Sequence, residues 1–214
     1  MTRAAVLLLL PMAACTTTAL PTDAATRPWI DLFDGRTLGA FVVTDFGGQG
    51  DVAVREGRLH LGMGSPLTGV TWTGPPPHGD YELEVVARRE LGSDFFAAIT
   101  FPVGSGHLTL VLGGWGGSLC GLSSLDGADA SRNETRSRRH FTIGVDVRAH
   151  IAVGNERIRV LLDDSPLLQA DLRGRRLGLR PEVEPSRPLG IASFATASSI
   201  RQVRWRPNAS PIGP

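Results

Sequence analysis

From Trp29 onward the chain alternates apolar and polar residues in short runs. Tyr81, Leu83, Val85 and Ala87 are interleaved with Glu82, Glu84, Val86 and Arg88. Ile143, Val145 and Val147 are interleaved with Thr142, Gly144, Asp146 and Arg148, and Ile158, Val160 and Leu162 with Arg157, Arg159 and Leu161. A period of two places one set on a core face and the other toward solvent or a groove. The pattern therefore predicts strands with Leu83, Val85, Ile143, Val145, Val147, Ile158 and Val160 in the core. Asp34-Gly35, Glu56-Gly57, Asp126-Gly127 and Gly154-Asn155 punctuate the runs as turns. No stretch carries a sustained helical period, and Leu172 to Arg187 contains two prolines. About a dozen short strands at this spacing indicate an all-β fold with two antiparallel sheets or a barrel, and less than about a tenth helix.

At 214 residues, 42% hydrophobic and 20% charged, the chain can bury a full core. A net charge of +1 gives no electrostatic reason to expect nucleic acid as a partner. All 22 basic residues are arginine, which GC-rich codon usage explains most simply.

The N-terminus changes the picture. MTRAAVLLLLPMAAC holds one basic residue, Arg3, and a short apolar core from Ala4 to Leu10. That run is well below the ~20 residues needed to span a bilayer, so it reads as an export signal. Met12-Ala13-Ala14-Cys15 resembles the lipobox of bacterial lipoproteins. The expected organisation is a signal peptide over 1–14, lipid on Cys15, a Thr-, Ala- and Pro-rich tether over 15–28, a domain over 29–207 and a frayed tail over 208–214. A plain secretory signal cut nearby is the alternative. Either way the protein is exported, and the lipidated form is a cell-envelope protein held to the membrane. Cys120 is then the one other cysteine, so no internal disulfide is expected, and its apolar surroundings suit a small buried hydrophobe.

One segment departs from the strand pattern. GGWGGSLCGLSSLDGADASRNET, from Gly113 to Thr135, sets glycines around Trp115 and follows them with hydrogen-bonding side chains. The bare backbone lets a ligand approach closely, with Trp115 as a flat plate, Gly114 and Gly116 beside it, and Asn133 as a polar contact. Asp126 and Glu134 supply carboxylates on the same connection. The same features also suit a strand bend crowded by a neighbour and a loop tied together by Asn133-Glu134-Thr135.

LFDGRTL at Leu32 to Leu38, YELEVVARR at Tyr81 to Arg89 and PLGIASFATASSIRQVRWR at Pro188 to Arg206 together resemble the bacterial 3-keto-disaccharide hydrolase (3-keto-glucoside lyase/hydratase) family, in a planctomycete-type branch. The resemblance covers roughly Trp29 to Pro207. It implies a concanavalin A-like jelly roll of the lectin and glucanase type. Phe101 and Pro102 stand about where that family carries an arginine. The resemblance also implies a chemistry. A carbonyl at C3 acidifies the C2 proton, a base removes it, the C1 substituent leaves and water adds back. This route needs a base, an acid near the leaving oxygen, and donors facing the enolate oxygen. Glu134 and Asp126 are the candidate catalytic residues, and the expected partner is a saccharide or glycoside. A non-catalytic glycan-binding or scaffold module of the same fold is the alternative. No cofactor is evident, and no histidine pairing at His60 or His107 supports a metal. Glu82 and Glu84 share a face without the third acidic residue of a laminarinase-type motif, which suits an exposed strand face. Arg136, Arg138, Arg139 and His140 read as solvated loop charge, and so do Arg173, Arg175 and Arg176. Asp163-Asp164 reads as a hairpin turn.

Overall fold

The structure is a computed structural model that describes residues 27–208. The signal segment, Cys15 and most of the expected tether lie outside the described residues, as do residues 209–214. Among the described residues the chain forms two antiparallel sheets packed face to face, the sandwich and not the barrel of the two arrangements that the alternation allows.

The first sheet is built around β6 (Tyr81–Gly92) and β15 (Thr196–Pro207), which pair along most of their length. Outward from β6 lie β11 (Val147–Val153), β12 (Arg157–Leu162) and β13 (Ser165–Asp171). Outward from β15 lie β4 (Arg58–Leu61) and β3 (Val52–Arg55), with the short β1 (Ile30–Asp31) pairing the end of β15. The second sheet runs β10 (Ser137–Arg138), β9 (Leu119–Ser123), β8 (Gly106–Gly113), β7 (Ala97–Val103), β14 (Gly190–Phe194), β5 (Leu67–Trp72) and β2 (Phe41–Val43). Helical structure is confined to a four-residue turn, Gly114–Gly117, and a 3-10 segment, Pro181–Ser186.

Alternation sets the faces. Leu83, Val85 and Ala87 of β6 stand opposite Ile151, Ala149 and Val147 of β11, and all six are buried between the sheets. Ile158 and Val160 continue this layer, and Ile99, Phe101, Leu108, Leu110 and Leu122 supply the other half. Each buried Val, Leu or Ile contributes about 1.5–3 kcal/mol. Tyr81 is buried with its hydroxyl donating to Pro102 O at 2.6 Å, which joins the two sheets through a satisfied polar contact.

Two expected core residues are elsewhere. Ile143 and Val145 are 57% and 53% exposed. The strand starts only at Val147, because the chain turns at Gly144, whose φ of 76° is left-handed. Gly144 N donates to Arg89 O and Val145 N to Thr142 O, which folds the segment back on itself. Phe141 is buried in their place and packs edge-on against Phe96.

The outward face of the first sheet is charged but not open. Glu84 keeps only 3% of its side chain exposed, and it meets Arg204 at 2.7 Å and Arg148 at 3.4 Å. Glu82 meets Arg206 at 2.6 Å and His150 at 3.0 Å, and both Arg204 and Arg206 stack on Trp29. The His150 hydrogen bond, followed by Arg206, holds the Glu82 carboxyl down at about 2 against the opposing effect of burial. Glu82 and Glu84 are thus locked into arginines and not left as a solvated pair. Asp163 and Asp164 form the β12–β13 turn, both with positive φ.

Candidate functional site

The second sheet presents an outward row of small side chains. Gly69 faces Ala192, Ala192 faces Ala98, Ala98 faces Val111, and Val111 faces Gly121 across successive strands. The next row is hydroxylic, with Thr100, Thr109 and Ser123 in register. Low side chains on adjoining strands leave room above the sheet. Over them lies a cleft of about 180 Å³ with Ala98, Thr109, Val111 and Ser123 as its floor. Phe95, Phe194 and Trp115 also line it, together with Arg180 and the 3-10 residues Glu182 and Val183.

The glycine-rich turn is shaped from below by Arg89, a residue that no sequence motif singles out. Arg89 continues the inward phase of Leu83, Val85 and Ala87, so the sheet aims a cation between the layers. Its guanidinium donates from Nη2 to Asp94 O at 3.0 Å, Gly113 O at 3.2 Å and Gly117 O at 3.0 Å, and lies 5.5 Å from the centre of the Phe96 ring. Burial pushes the Arg89 guanidinium below its ordinary range. A Cβ at Gly113 would sit 2.6 Å from Arg89 Nη2, and φ there is 78°, so only glycine fits. The glycines therefore admit Arg89 beneath the turn. Gly114 is likewise buried, and a side chain there would press on Val111. Gly116 faces open space, and its N–H points to Asp94 Oδ2 at 3.4 Å.

Trp115 is held in the left-handed region at φ 48° and ψ 56°, a conformation that costs a non-glycine residue about 1–2 kcal/mol. The turn that imposes it leaves the ring 42% exposed on the rim of the cleft. Asp94 Oδ1 accepts from Phe95 N at 2.8 Å, which fixes the carboxylate beside the same rim. Arg180, also in the lining, bonds Glu182 through Nε and Asp129 through Nη1 at 2.9 Å. The cleft thus offers flat apolar surfaces, floor hydroxyls, and carboxylates and a guanidinium at its edges.

The other residues proposed from sequence lie apart from it. Asn133 Nδ2 donates to Leu122 O at 2.8 Å and to Ala128 O and Asp129 O, each at 3.0 Å, while Oδ1 accepts from Thr135. Its amide ties the loop together and has no free group for a ligand. Asp126 and Glu134 do meet, but around Arg175 at the surface. The Arg176 N–H and then Arg175 hold the Asp126 carboxyl below the usual range, and Arg175 does the same to Glu134. Neither lines the cleft, and a carboxylate held low is a weaker proton acceptor. Cys120 is buried, and burial pushes its thiol up to about 11, which disfavours the thiolate. Among the described residues no group of three His, Cys, Asp or Glu side chains is placed to hold a metal ion.

Of the residues around the cleft and its turn, Arg89 alone had a legible signal, a cation in the apolar phase of a strand. Asp94, Phe95, Arg180, Glu182 and Phe194 converge only through the fold.

By sequence, no family model and no curated protein matches the chain. Several solved structures match it in fold. Carbohydrate binding module CBM66 from Bacillus subtilis aligns with a TM-score of 0.50 at 12% identity, over 77% of this chain and 93% of that one. The apo Crh5 transglycosylase aligns at 0.58 with 14% identity, over 88% and 86%. The VIP36 exoplasmic/lumenal domain in its Ca2+/Man-bound form aligns at 0.58 with 12% identity, over 85% and 89%. At such identities the likeness establishes the fold, a lectin- and glucanase-like jelly-roll sandwich.

Proposed function

We propose that this domain binds a saccharide in the cleft between Trp115 and the 3-10 segment. The observation that carries the reading is the Trp115 ring, held exposed by a strained turn above a floor of small and hydroxylic side chains. A sugar ring presents an apolar face edged by hydroxyls. Trp115, Phe95 and Phe194 suit that face, and Asp94, Thr109, Ser123, Arg180 and Glu182 suit the hydroxyls. The carbohydrate-related proteins among the fold neighbours support this choice of ligand class. The domain is exported and held at the envelope by lipid on Cys15, a reading that rests on the N-terminal sequence.

The test is calorimetric titration of a panel of neutral oligosaccharides against the parent, Trp115→Ala and the pair Asp126→Asn and Glu134→Gln. Trp115→Ala is expected to bind roughly tenfold more weakly or worse, with its melting temperature little changed. The carboxamide variants are expected to bind as the parent does. Equal affinity of the parent and Trp115→Ala for every ligand bound would remove the cleft from the function.

Cleavage of 3-keto-glycosides is the second reading, and one feature favours it. Asp94 and Glu182 both line the cleft, and the Arg180 guanidinium is paired with Glu182 and Asp129. Glu182 is held by an arginine as Glu134 is, so Asp94, whose carboxylate has no arginine partner among the described residues, suits the base and Arg180 the charge of an enolate oxygen. Turnover of a 3-keto-glucoside, measured with and without divalent metal, should then fall in Asp94→Asn while binding persists. Absence of turnover in the parent leaves the binding function alone.

A further inference from the structure

The end of the sandwich that carries the Trp115 turn has a second, separate character. The β6–β7, β8–β9 and β10–β11 connections are drawn together there around Arg89. Gly144 N bonds Arg89 O at 2.8 Å, Arg139 N bonds Ser118 O at 2.9 Å, and the Arg89 guanidinium reaches Gly113 and Gly117. The β10–β11 connection projects Ile143 and Val145 into solvent and the end of β6 projects Leu91, and these are the only large apolar residues among the described residues that are more than half exposed. Apolar groups so exposed at one end of a domain call for a partner.

The charge around these tips points to the partner. Arg136, Arg138 and Arg139 lie on the connection between the Trp115 turn and Ile143, next to the exposed His140. Their guanidinium groups bond neutral oxygens, those of Ser131 O, Ser118 Oγ and Pro166 O respectively. Among the described residues none of the three has a carboxylate partner, although most other arginines of the domain are paired. The carboxylates flanking the tips are engaged elsewhere, Glu90 with Arg88 and Ser199 and Asp146 with Arg58 and Arg201, while Asp94 lines the cleft and accepts from Phe95 N and Gly116 N. The end is therefore polarised, with unpaired cations beside the apolar tips Ile143 and Val145.

We propose that this end docks on a bilayer surface carrying anionic headgroups, with Leu91, Ile143 and Val145 entering the interface and Arg136, Arg138 and Arg139 meeting the headgroups. Shallow apolar insertion and cation attraction reinforce each other in such binding, and neither requires a spanning segment. Trp115 stands at the border of this surface, so the docked domain would hold its cleft close to the membrane plane.

The experiment compares full-length parent with Ile143→Ser/Val145→Ser and Arg138→Gln/Arg139→Gln. Each is co-sedimented with vesicles of phosphatidylcholine alone or mixed with phosphatidylglycerol. Every protein keeps the same N-terminal segment, so differences report this end alone. The parent is expected to prefer the mixed vesicles, and the arginine variant to lose that preference, roughly a tenfold drop in partitioning. The apolar variant is expected to bind both vesicles roughly tenfold more weakly. Saccharide titration should be unchanged in both variants, which separates this proposal from the cleft reading. Parent-like partitioning of both variants would overturn it. A change in oligomeric state with vesicle binding intact would also overturn it, because a second copy of the chain would then be what covers the tips.

Discussion

Arg89→Met is the most searching test of how the site is held. Methionine preserves the apolar stem of Arg89 but removes the Nη2 donor shared by Asp94 O, Gly113 O and Gly117 O. The bond to Gly113 O is buried, and a buried acceptor left alone costs about 1–3 kcal/mol. The other two carbonyls are nearer solvent and regain water, so each costs about 0.5–1 kcal/mol. Loss of the contact with Phe96 adds about 0.5–1 kcal/mol. Against this stands the relief of a desolvated guanidinium, whose lowered pKa shows that burial disfavours its charge. The net expectation is a loss of about 2–4 kcal/mol, a fall in melting temperature of roughly 5–15 °C. Thermal melts read the stability, and hydrogen exchange at the Gly116 and Gly117 amides reads the turn. Both should change together, and saccharide affinity should fall with them, because Trp115 loses the turn that holds it. A variant that melts within a degree or two of the parent, with unaltered exchange at these amides, would refute the account of Arg89 as the keystone of the turn.

Two other outcomes follow from the packing and the charges. Leu83→Ala should cost about 2–5 kcal/mol as a fully buried strand residue, whereas Val145→Ser should cost less than about 0.5 kcal/mol from its exposed loop, as urea unfolding would measure. Glu82 has a folded-state pKa lowered to about 2, so its contribution to stability is complete above the ordinary glutamate range and fades as pH falls from about 5 toward 2. An acid-unfolding series should therefore show a shallower loss over that window in Glu82→Gln than in the parent, and identical slopes would discount the His150 and Arg206 contacts.

Much of the fold was legible because a strand's side-chain period is local. The runs over Tyr81 to Arg89 and Ile158 to Leu162 declare an inward and an outward set whatever they pair with, and the structure buries the inward set. The same rule failed at Ile143 and Val145, since alternation cannot see a turn. Gly144 is left-handed there because its amide has a partner in Arg89 O, a residue more than fifty positions earlier. Period alone would extend the strand across it.

The candidate site divides along the same line. Trp115 and its glycines stood out in the sequence as bulkless residues around an aromatic ring, and the exposed ring is where that composition places it. Asn133, Asp126 and Glu134 stood out equally, yet hydrogen-bonding side chains on one connection have many partners available. Here Asn133 turned to the backbone of its own loop, and the two carboxylates to Arg175 from a different connection.

The sequence by itself determined the strand-rich architecture, the inward set of its regular strands and the odd composition of the Trp115 turn, since each is written in nearest-neighbour patterns, whereas alternation alone left a sandwich or a barrel open. Only the tertiary structure decided which polar groups face the cleft. Asp94 lies far along the chain from Arg180 and Glu182. They meet because sheet register and loop closure bring them there, and those are properties of pairing between strands that no single strand encodes.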